Sequence, residues 1–507
     1  VPDFPFPPFL APEKPWPPKV GDTDHRERLE QIRQDRELFG CDHHEIYAEH
    51  YKRLRPDATA EEKKDPKTLL ELLSRIAAAR GTHEQEINLP QGLSLLWADL
   101  MVNEPPKVRA GSVVEGGGDP GEDERAAVNR LTEELSLEIH ECVLEQSIAG
   151  NGVFVAVLDG EAGRARVESY PADQWIPWTM GKRVIAHILF SIEELEDQRR
   201  VLNVEIHYRG HIKYRRYELQ GNSLGRELPP SLPPGVTTAD QDLPGVTEFL
   251  VQPASNSATS KTVLGIGDYR AIDTLIPQFN VQASQWGMIF DKHAAPTMYG
   301  PTSVMEWDED KETWVYKTAP DGKYIPVEGG EEPPGYLVWD PQMQANFQAW
   351  DKLMEIFYTV TGTTPAAFSN YKEGGAASGT ALRLRMARPL AVAGRKRERL
   401  EPALRRALLA AQQLEVNLAG ARYRPTTVVI DWADGLPQDP KEAAETEARR
   451  KEAGLTSTIR ALQRLDGLSE AEAEEESDRI AAEQAEAAGG LFMPGAGSGQ
   501  NGPGGDG

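Results

Sequence analysis

Two segments of this chain share a pattern that few folds accommodate. From Asp268 to His293 apolar residues recur at Ile272, Leu275, Ile276, Phe279, Ala283, Trp286 and Phe290, and from Met343 to Thr361 at Phe347, Trp350, Leu353, Met354, Phe357 and Val360. Steps of three and four residues place these side chains on one narrow stripe of an α-helix, the kind of stripe that packs against another helix. The stretch between them, residues 294–341, reads as short strands ("TWVYKT", "YLVWD"), turns and the acidic run "EWDEDKE". The chain should therefore leave along one helix, make a small β-rich insertion, and return along a second.

Composition allows such an element to sit in a large structured protein. With 507 residues there is room for roughly two to four domains, and 39% hydrophobic with 27% charged residues is ordinary for a globular chain. Cys41 and Cys142 are too few to staple a chain of this size, and no cationic apolar leader is read, so synthesis in a reducing compartment is expected. The longest apolar runs, such as "NGVFVAVLDG", are strand-length and fall short of the roughly 18 to 20 residues of a membrane span. A formal net charge of -25 argues against a protein that coats DNA with a basic surface.

Before the first striped helix the pattern is α+β. The first twenty residues are proline-rich and interleaved with Phe4, Phe6, Phe9 and Trp16, so they should lie extended, as polyproline II or as an arm across a neighbour, and the aromatics favour the arm over a flexible tail. Charged helical sequence follows to about Ala79, broken at Pro56 and Pro66. Leu93, Leu96, Trp97, Leu100 and Met101 mark a short amphipathic helix, and a helix of about 25 residues is expected from Glu124, carrying Leu131, Leu135, Ile139 and Val143 on one face. The segments "VFVAVLD", "RARVESY", "QWIPW", "VIAHILF", "NVEIHYR" and "IKYRRYEL" read as an antiparallel sheet, and "GNSLGRELPPSLPPGVTTADQDLPG" as a surface loop.

After the second striped helix, Gly379 to Leu418 reads as a long helix kinked at Pro389 and Pro402, and "TTVVIDW" as a strand. Helices resume at Pro440, one closed by Gly454, one opened by Thr456 or Ser457, and one by a capping box at Ser469 to Glu472. The Gly-rich end from Gly489 should be disordered.

Each chemical signal has a bland competitor. Gly374 and Gly379 are spaced like a phosphate-binding loop, but Thr380 and Ala381 stand where Lys and Ser/Thr would be needed, and no strand precedes them. "CDHHEIYAEH" gathers Cys41, Asp42, His43, His44, Glu45, Glu49 and His50, yet His44-Glu45 followed by His50 is one residue too long for a zinc helix, so a charged helix is preferred and no metal is expected. Asp431 and Asp434 could serve a metal-dependent nuclease, but a strand-end cap and turn explains them with fewer assumptions. The basic run Arg383, Arg385, Arg388, Arg395, Lys396, Arg397, Arg399, Arg405 and Arg406 fits pairing with acidic surfaces of neighbouring subunits better than DNA contact. No catalytic constellation and no cofactor motif is found, so an enzyme is not expected.

The order of parts resembles that of bacteriophage portal proteins, in the branch typical of long non-contractile-tailed phages. The residues that carry the resemblance are "LLWADLMVNEPP", "AGNGVFVAVLD", "MIFDKHAAPTMYG", "FYTVTGTTPAAFSNYKEGGAASGTALRLRM" and "DWADGLPQDPKEAAETEARRKEAGLTS". It implies an arm (1–24), an α+β wing (25–267), a first stem helix (268–293), a clip (294–341), a second stem helix (342–362), a tunnel loop (363–378), a kinked helix and strand returning to the wing (379–438), a helical crown (439–488) and a tail (489–507).

The same resemblance implies a ring of twelve copies at one capsid vertex, the conduit for DNA packaging and ejection, made in the host cytoplasm and built into the virion. Its partners would be double-stranded DNA in the channel, the terminase large subunit, a head-completion adaptor protein, and the major capsid and scaffold proteins. Asn370, Tyr371, Lys372, Gly374 and Gly375 would face DNA from the tunnel loop; Phe279, Trp286, Trp350 and Phe357 would pack the stem; Glu306, Asp308, Glu309 and Asp310 would meet terminase or adaptor at the clip. A metal-dependent DNA-processing enzyme, or another virion ring or scaffold component, is the alternative.

Overall fold

The computed structural model describes residues 4–47, 85–160, 162–258, 262–294, 298–301, 305–308, 313–316, 324–327, 335–336, 343–368, 379–433, 440–466, 468 and 470–490. They form a mixed helix-and-sheet structure, divided into one unit of residues 1–373 with 385–435 and another of 374–384 with 436–507.

The larger unit begins with the hairpin β1 (Lys19–Val20) and β2 (Thr23–Asp24), followed by α1 (His25–Phe39). Asp24 caps α1 by accepting from the Arg26 amide at 2.9 Å, relieving one of the unpaired donors at the helix start. A single turn, α2 (His43–Ile46), comes next, and then α3 (Leu89–Val102), capped by Asn88, which accepts from the Gln91 amide at 3.2 Å. After β3 (Lys107–Val113) the expected long helix is two helices, α4 (Glu122–Leu131) and α5 (Leu135–Ala149). At the end of α4 the Thr132 hydroxyl shares its proton between the carbonyls of Val128 and Asn129, both at 3.0 Å, and the Thr132 amide turns to the Asn129 carbonyl at 3.2 Å. Gly150 ends α5 at φ 79°, and a Cβ there would meet the Gly265 carbonyl oxygen at 2.6 Å, so no other residue fits.

The sheet segments run β4 (Asn151–Asp159), β5 (Arg164–Tyr170), β6 (Trp175–Met180), β7 (Arg183–Glu194), β8 (Arg200–Tyr208), β9 (His211–Gln220), β10 (Ser223–Leu228), β11 (Asp240–Asp242) and β12 (Val251–Ser255), then the short pair β13 (Ser257–Ala258) and β14 (Gly265–Ile266). An antiparallel sheet has the order β10-β9-β8-β7-β6, with β11 added to β9, and a second has the order β12-β4-β5. β10 and β11 correct the reading of residues 221–245 as loop: Ser223 pairs with Gln220 across a tight reversal at Gly221, and the proline-rich part only follows β10.

The proline-rich arm lies on its own chain's sheet. Leu10, Trp16 and Val20 are buried with Trp178, Ile188, Phe190, Leu202, Val204 and Tyr208 in one core cluster. The Trp16 ring meets Phe190 edge-on with centroids 5.0 Å apart, and Phe4 stacks on His211 at 4.6 Å. Backbone bonds between Glu13 N and Leu224 O (2.7 Å) and between Leu224 N and Lys14 O (2.8 Å) pin it. Proline suits this path because its missing N–H has no ladder to serve.

A 3-10 turn (Asp268–Ala271) leads to α6 (Ile276–Ala294), with Pro277 in its first turn, where the missing N–H would have no partner within the helix in any case. Short strands follow: β15 (Met298–Pro301), β16 (Met305–Asp308), β17 (Thr313–Tyr316), β18 (Tyr324–Val327) and β19 (Gly335–Tyr336). β15 is flanked by β18, parallel, and β19, antiparallel, while β16 and β17 form a hairpin with Trp307 opposite Trp314. The return is α7 (Met343–Thr361). α8 (Gly379–Leu418) runs through both Pro389 and Pro402, and β20 (Thr426–Asp431) pairs antiparallel with β3.

The smaller unit contains α9 (Pro440–Glu452), α10 (Thr458–Leu465) and α11 (Glu470–Gly490). Gly454, at φ 69°, follows α9, and Ser457 caps α10 by accepting from the Arg460 amide at 3.2 Å. Buried Glu447 of α9 accepts from Arg464 of α10 at 3.2 Å. Ser469 of the expected capping box and the tail beyond residue 490 lie outside the described residues.

Candidate functional site

The striped helices meet through aromatic rings. Phe279 of α6 contacts Trp350 (5.0 Å) and Phe357 (6.4 Å) of α7 edge-on, and Trp286 lies 4.8 Å from Trp350 and 5.4 Å from Phe347. Phe279 and Phe357 are fully buried, each contributing about 2–3 kcal/mol of burial, with edge-on pairing adding about 1. The four residues read from sequence as stem packing are thus brought together in one seam. The seam does not cover α7: Phe347, Ile356 and Val360 remain exposed, at 48%, 46% and 45%.

Beside the seam is a cleft of about 830 Å³, mostly apolar, lined by Trp350, Met354, Tyr358, Pro365, Arg385 and Arg388 among others. It lies between α7, the chain that follows it, and the part of α8 that begins the larger unit's second segment. Arg388 crosses from α8 to donate to the Thr359 carbonyl at 2.7 Å. Phe368, seven residues past the end of α7, reaches back to Phe357 and Tyr358, with both centroids 6.0 Å away.

The root of α6 is held by a buried polar junction that the sequence reading missed. Lys396 of α8, only 4% exposed, donates to Asp268 Oδ2 at 2.7 Å and to Asn256 Oδ1, and sits over the Trp97 ring of α3. Asp268 also accepts from Ser147 of α5 at 2.7 Å and from the Asn256 amide at 2.9 Å. Ser94 bonds Ser147 (2.8 Å) and the Tyr269 hydroxyl (2.7 Å). Burial raises Tyr269 well above its ordinary value, so its hydroxyl keeps its proton. Three helices, a strand end and the 3-10 turn converge here, which explains why a buried charge is tolerated: every partner is hydrogen-bonded.

The basic run on α8 has an outcome that neither sequence reading included. Besides Lys396 and Arg388, Arg397 donates to the Leu100 carbonyl at 2.8 Å and lies over Trp432, Arg399 reaches Ser255 at 3.4 Å, Arg406 bonds the Pro402 carbonyl at 3.0 Å, and Arg405 pairs with Glu401. Much of this charge is spent within the chain. The clue available in sequence was that Lys396 falls on the apolar stripe of Ala393, Leu400, Ala403 and Ala407, where a solvated cation would not.

Other expected residues are placed as follows. Asn370, Tyr371, Lys372, Gly374 and Gly375 lie outside the described residues, as do Glu309, Asp310 and Asp434. Glu306 and Asp308 are on β16, opposite Val315 and Thr313. Asp431 accepts from Arg109 at 2.7 and 3.0 Å across the β3–β20 ribbon. The His43 ring is consumed between the Asn280 amide (2.9 Å) and the Leu38 carbonyl (3.3 Å), and no metal-holding cluster of His, Cys, Asp and Glu occurs among the described residues.

The chain is similar to phage portal proteins. Residues 340–490 match the family model described as phage portal protein, SPP1 Gp6-like, a span that takes in α7, α8, β20 and the three last helices. Among solved structures it is similar to a chain in the neck of an empty gene transfer agent particle computed with C6 symmetry (13% identity, 78% of this chain and 93% of that one, TM-score 0.42). It is also similar to chains in the neck of the native particle computed with C12 symmetry (13%, 77% and 97%, TM-score 0.38) and in the virion of the native particle (14%, 78% and 93%, TM-score 0.37). No curated protein matches. No helix among the described residues is long and apolar enough to cross a membrane.

Proposed function

We propose that this chain is the subunit of a portal: a ring of twelve copies at one capsid vertex, through which double-stranded DNA is packaged and later ejected. The observation that carries the reading is the portal family match over residues 340–490, which spans the returning helix, the loop and the long helix. The α6–α7 pair bracketing a small β-rich insertion supports it, because α7 keeps apolar residues that the chain itself leaves uncovered. A helix apolar on more than one side belongs in a packed assembly.

In this reading 25–267 is the wing, 294–341 the clip, 363–378 the tunnel loop and 439–488 the crown. Lys372, with Asn370 and Tyr371, touches passing phosphates, and Gly374 and Gly375 let the loop rearrange. Glu306, Asp308, Glu309 and Asp310 meet the terminase large subunit during packaging and an adaptor protein afterwards; capsid and scaffold proteins surround the ring. The role is structural, with the motor chemistry supplied by terminase. Twelve copies carry a charge on the order of -300, and a wall of that sign lets a duplex slide rather than stick.

Native mass spectrometry with negative-stain imaging of the purified protein tests the proposal. Rings of about twelve subunits with a central hole are the expected result; a 56.0 kDa monomer that cuts DNA with magnesium would overturn it.

A further inference from the structure

A second cleft, of about 490 Å³, lies within the larger unit and far in sequence from the α6–α7 seam. Its walls come from α4 (Asp123, Ala126, Ala127, Arg130), the β4–β5 turn (Gly163, Arg164) and the chain joining α8 to β20 (Arg422, Tyr423). Its floor is Glu415 of α8, 1% exposed.

The floor is electrically finished. Glu415 Oε1 accepts from the Ala165 amide at 2.7 Å, and Oε2 accepts from Arg130 at 2.5 Å and from the Tyr423 hydroxyl at 2.6 Å. The end of α8 is closed too, since the Glu415 carbonyl accepts from the amides of Ala419 and Ala421, both at 3.1 Å. In the sequence "ARYR" the two arginines diverge: Arg424 turns to Glu124 at 3.0 Å, whereas Arg422 lines the cleft. The side chains of Arg164 and Arg422 have no hydrogen-bond or ion-pair partner among the described residues, in a chain whose net charge is -25. Alanine and glycine walls leave the space between them open.

We propose that this cleft docks a short acidic peptide segment of a partner protein, with Arg164 and Arg422 binding its carboxylates. Two guanidinium groups offer planar forks of donors that match carboxylate geometry, and the small side chains between them admit an extended peptide. A DNA duplex is the poorer fit, because it is far wider than the cleft. The inference stands whether or not the chain builds a ring.

The test titrates the full-length protein with fluorescein-labelled hexaglutamate at low salt. Saturable binding is expected, weakened at least about ten-fold in Arg164→Ala/Arg422→Ala, the loss that follows from removing two charge-assisted hydrogen bonds, and retained in Arg405→Ala. Arg422→Glu alone should abolish binding, and all variants should melt with the wild type because these side chains support nothing in the fold. Absence of saturable binding to the wild type, or an equal loss in Arg405→Ala, overturns the proposal. So does inorganic phosphate displacing the peptide more strongly than chloride at equal ionic strength, which would make the cleft a phosphate site.

Discussion

α6 is held in two places by opposite means. At its root the Lys396–Asp268 junction is charged, buried and closed, each group meeting partners from the same chain. Along its length the seam with α7 is aromatic and open, with Phe347, Ile356 and Val360 left in solvent. A closed polar junction sets one geometry, because a shifted partner would strand a charge. An open apolar seam is indifferent to small shifts and is completed by whatever next covers it. In the portal reading proposed above, the difference separates what the chain fixes alone from what it leaves to an assembly.

The largest effect should come from breaking the junction. Lys396→Met takes the cation from a partly enclosed carboxylate that keeps only the Ser147 hydroxyl and the Asn256 amide as donors, and should cost about 3 kcal/mol in chemical denaturation. Lys396→Met/Asp268→Asn should recover more than half of that, since the neutral amide still bonds Ser147 and Asn256. A loss below about 1 kcal/mol in the single variant would show that the root is held by packing, as the seam is.

A smaller effect belongs to the outer layer of the same root. Asp35 of α1, facing Asp273 and Arg270, is pushed up to about 6 from 3.8, chiefly by burial and further by Asp273, against the Gln31 hydrogen bond and Arg270. The folded chain therefore holds a proton that the unfolded chain releases, so stability falls as pH rises from about 4 to 6 and stays lowered above. Asp35→Asn should abolish that slope and stabilise the protein at pH 7.5 by on the order of 2–3 kcal/mol. His187 behaves with the opposite sign: burial lowers it to about 3 from 6.5, so its contribution is intact above pH 6.5 and lost as pH falls. Melting curves of wild type and Asp35→Asn from pH 4 to 8 distinguish the two, because only the acid-side fall should survive the substitution.

The contrast between junction and seam also marks what the sequence made legible. The seam could be read because its information is local: Phe279 and Trp286 are seven apart, as are Trp350 and Phe357, and helical spacing alone puts each pair on one face. The junction could not, because Lys396 meets Asp268 across 128 residues, and nothing around either residue names the other. The split between α4 and α5 was hidden for a third reason. Its apolar spacing is helical throughout, and the turn at residues 132–134 leaves that spacing unbroken. The start of α6 was legible at Pro277, because proline is favoured in the first turn of a helix.

The smallest effect on the folded subunit should carry the largest consequence for assembly. Ile356 and Val360 are on the same side of α7, one turn apart, and each is almost half exposed, so Ile356→Ser/Val360→Ser removes little that the subunit has buried. The change in subunit stability should stay within about 0.5 kcal/mol. If neighbouring copies cover this face in a ring, the same substitutions take apolar area from every interface at once, and twelve weakened contacts around a closed ring do not compensate one another. Native mass spectrometry should then show subunits or short arcs where the wild type gives rings. Intact rings from a variant of unchanged stability would mean that the open side of α7 faces solvent in the assembly, and that the seam, like the junction, is complete within one chain.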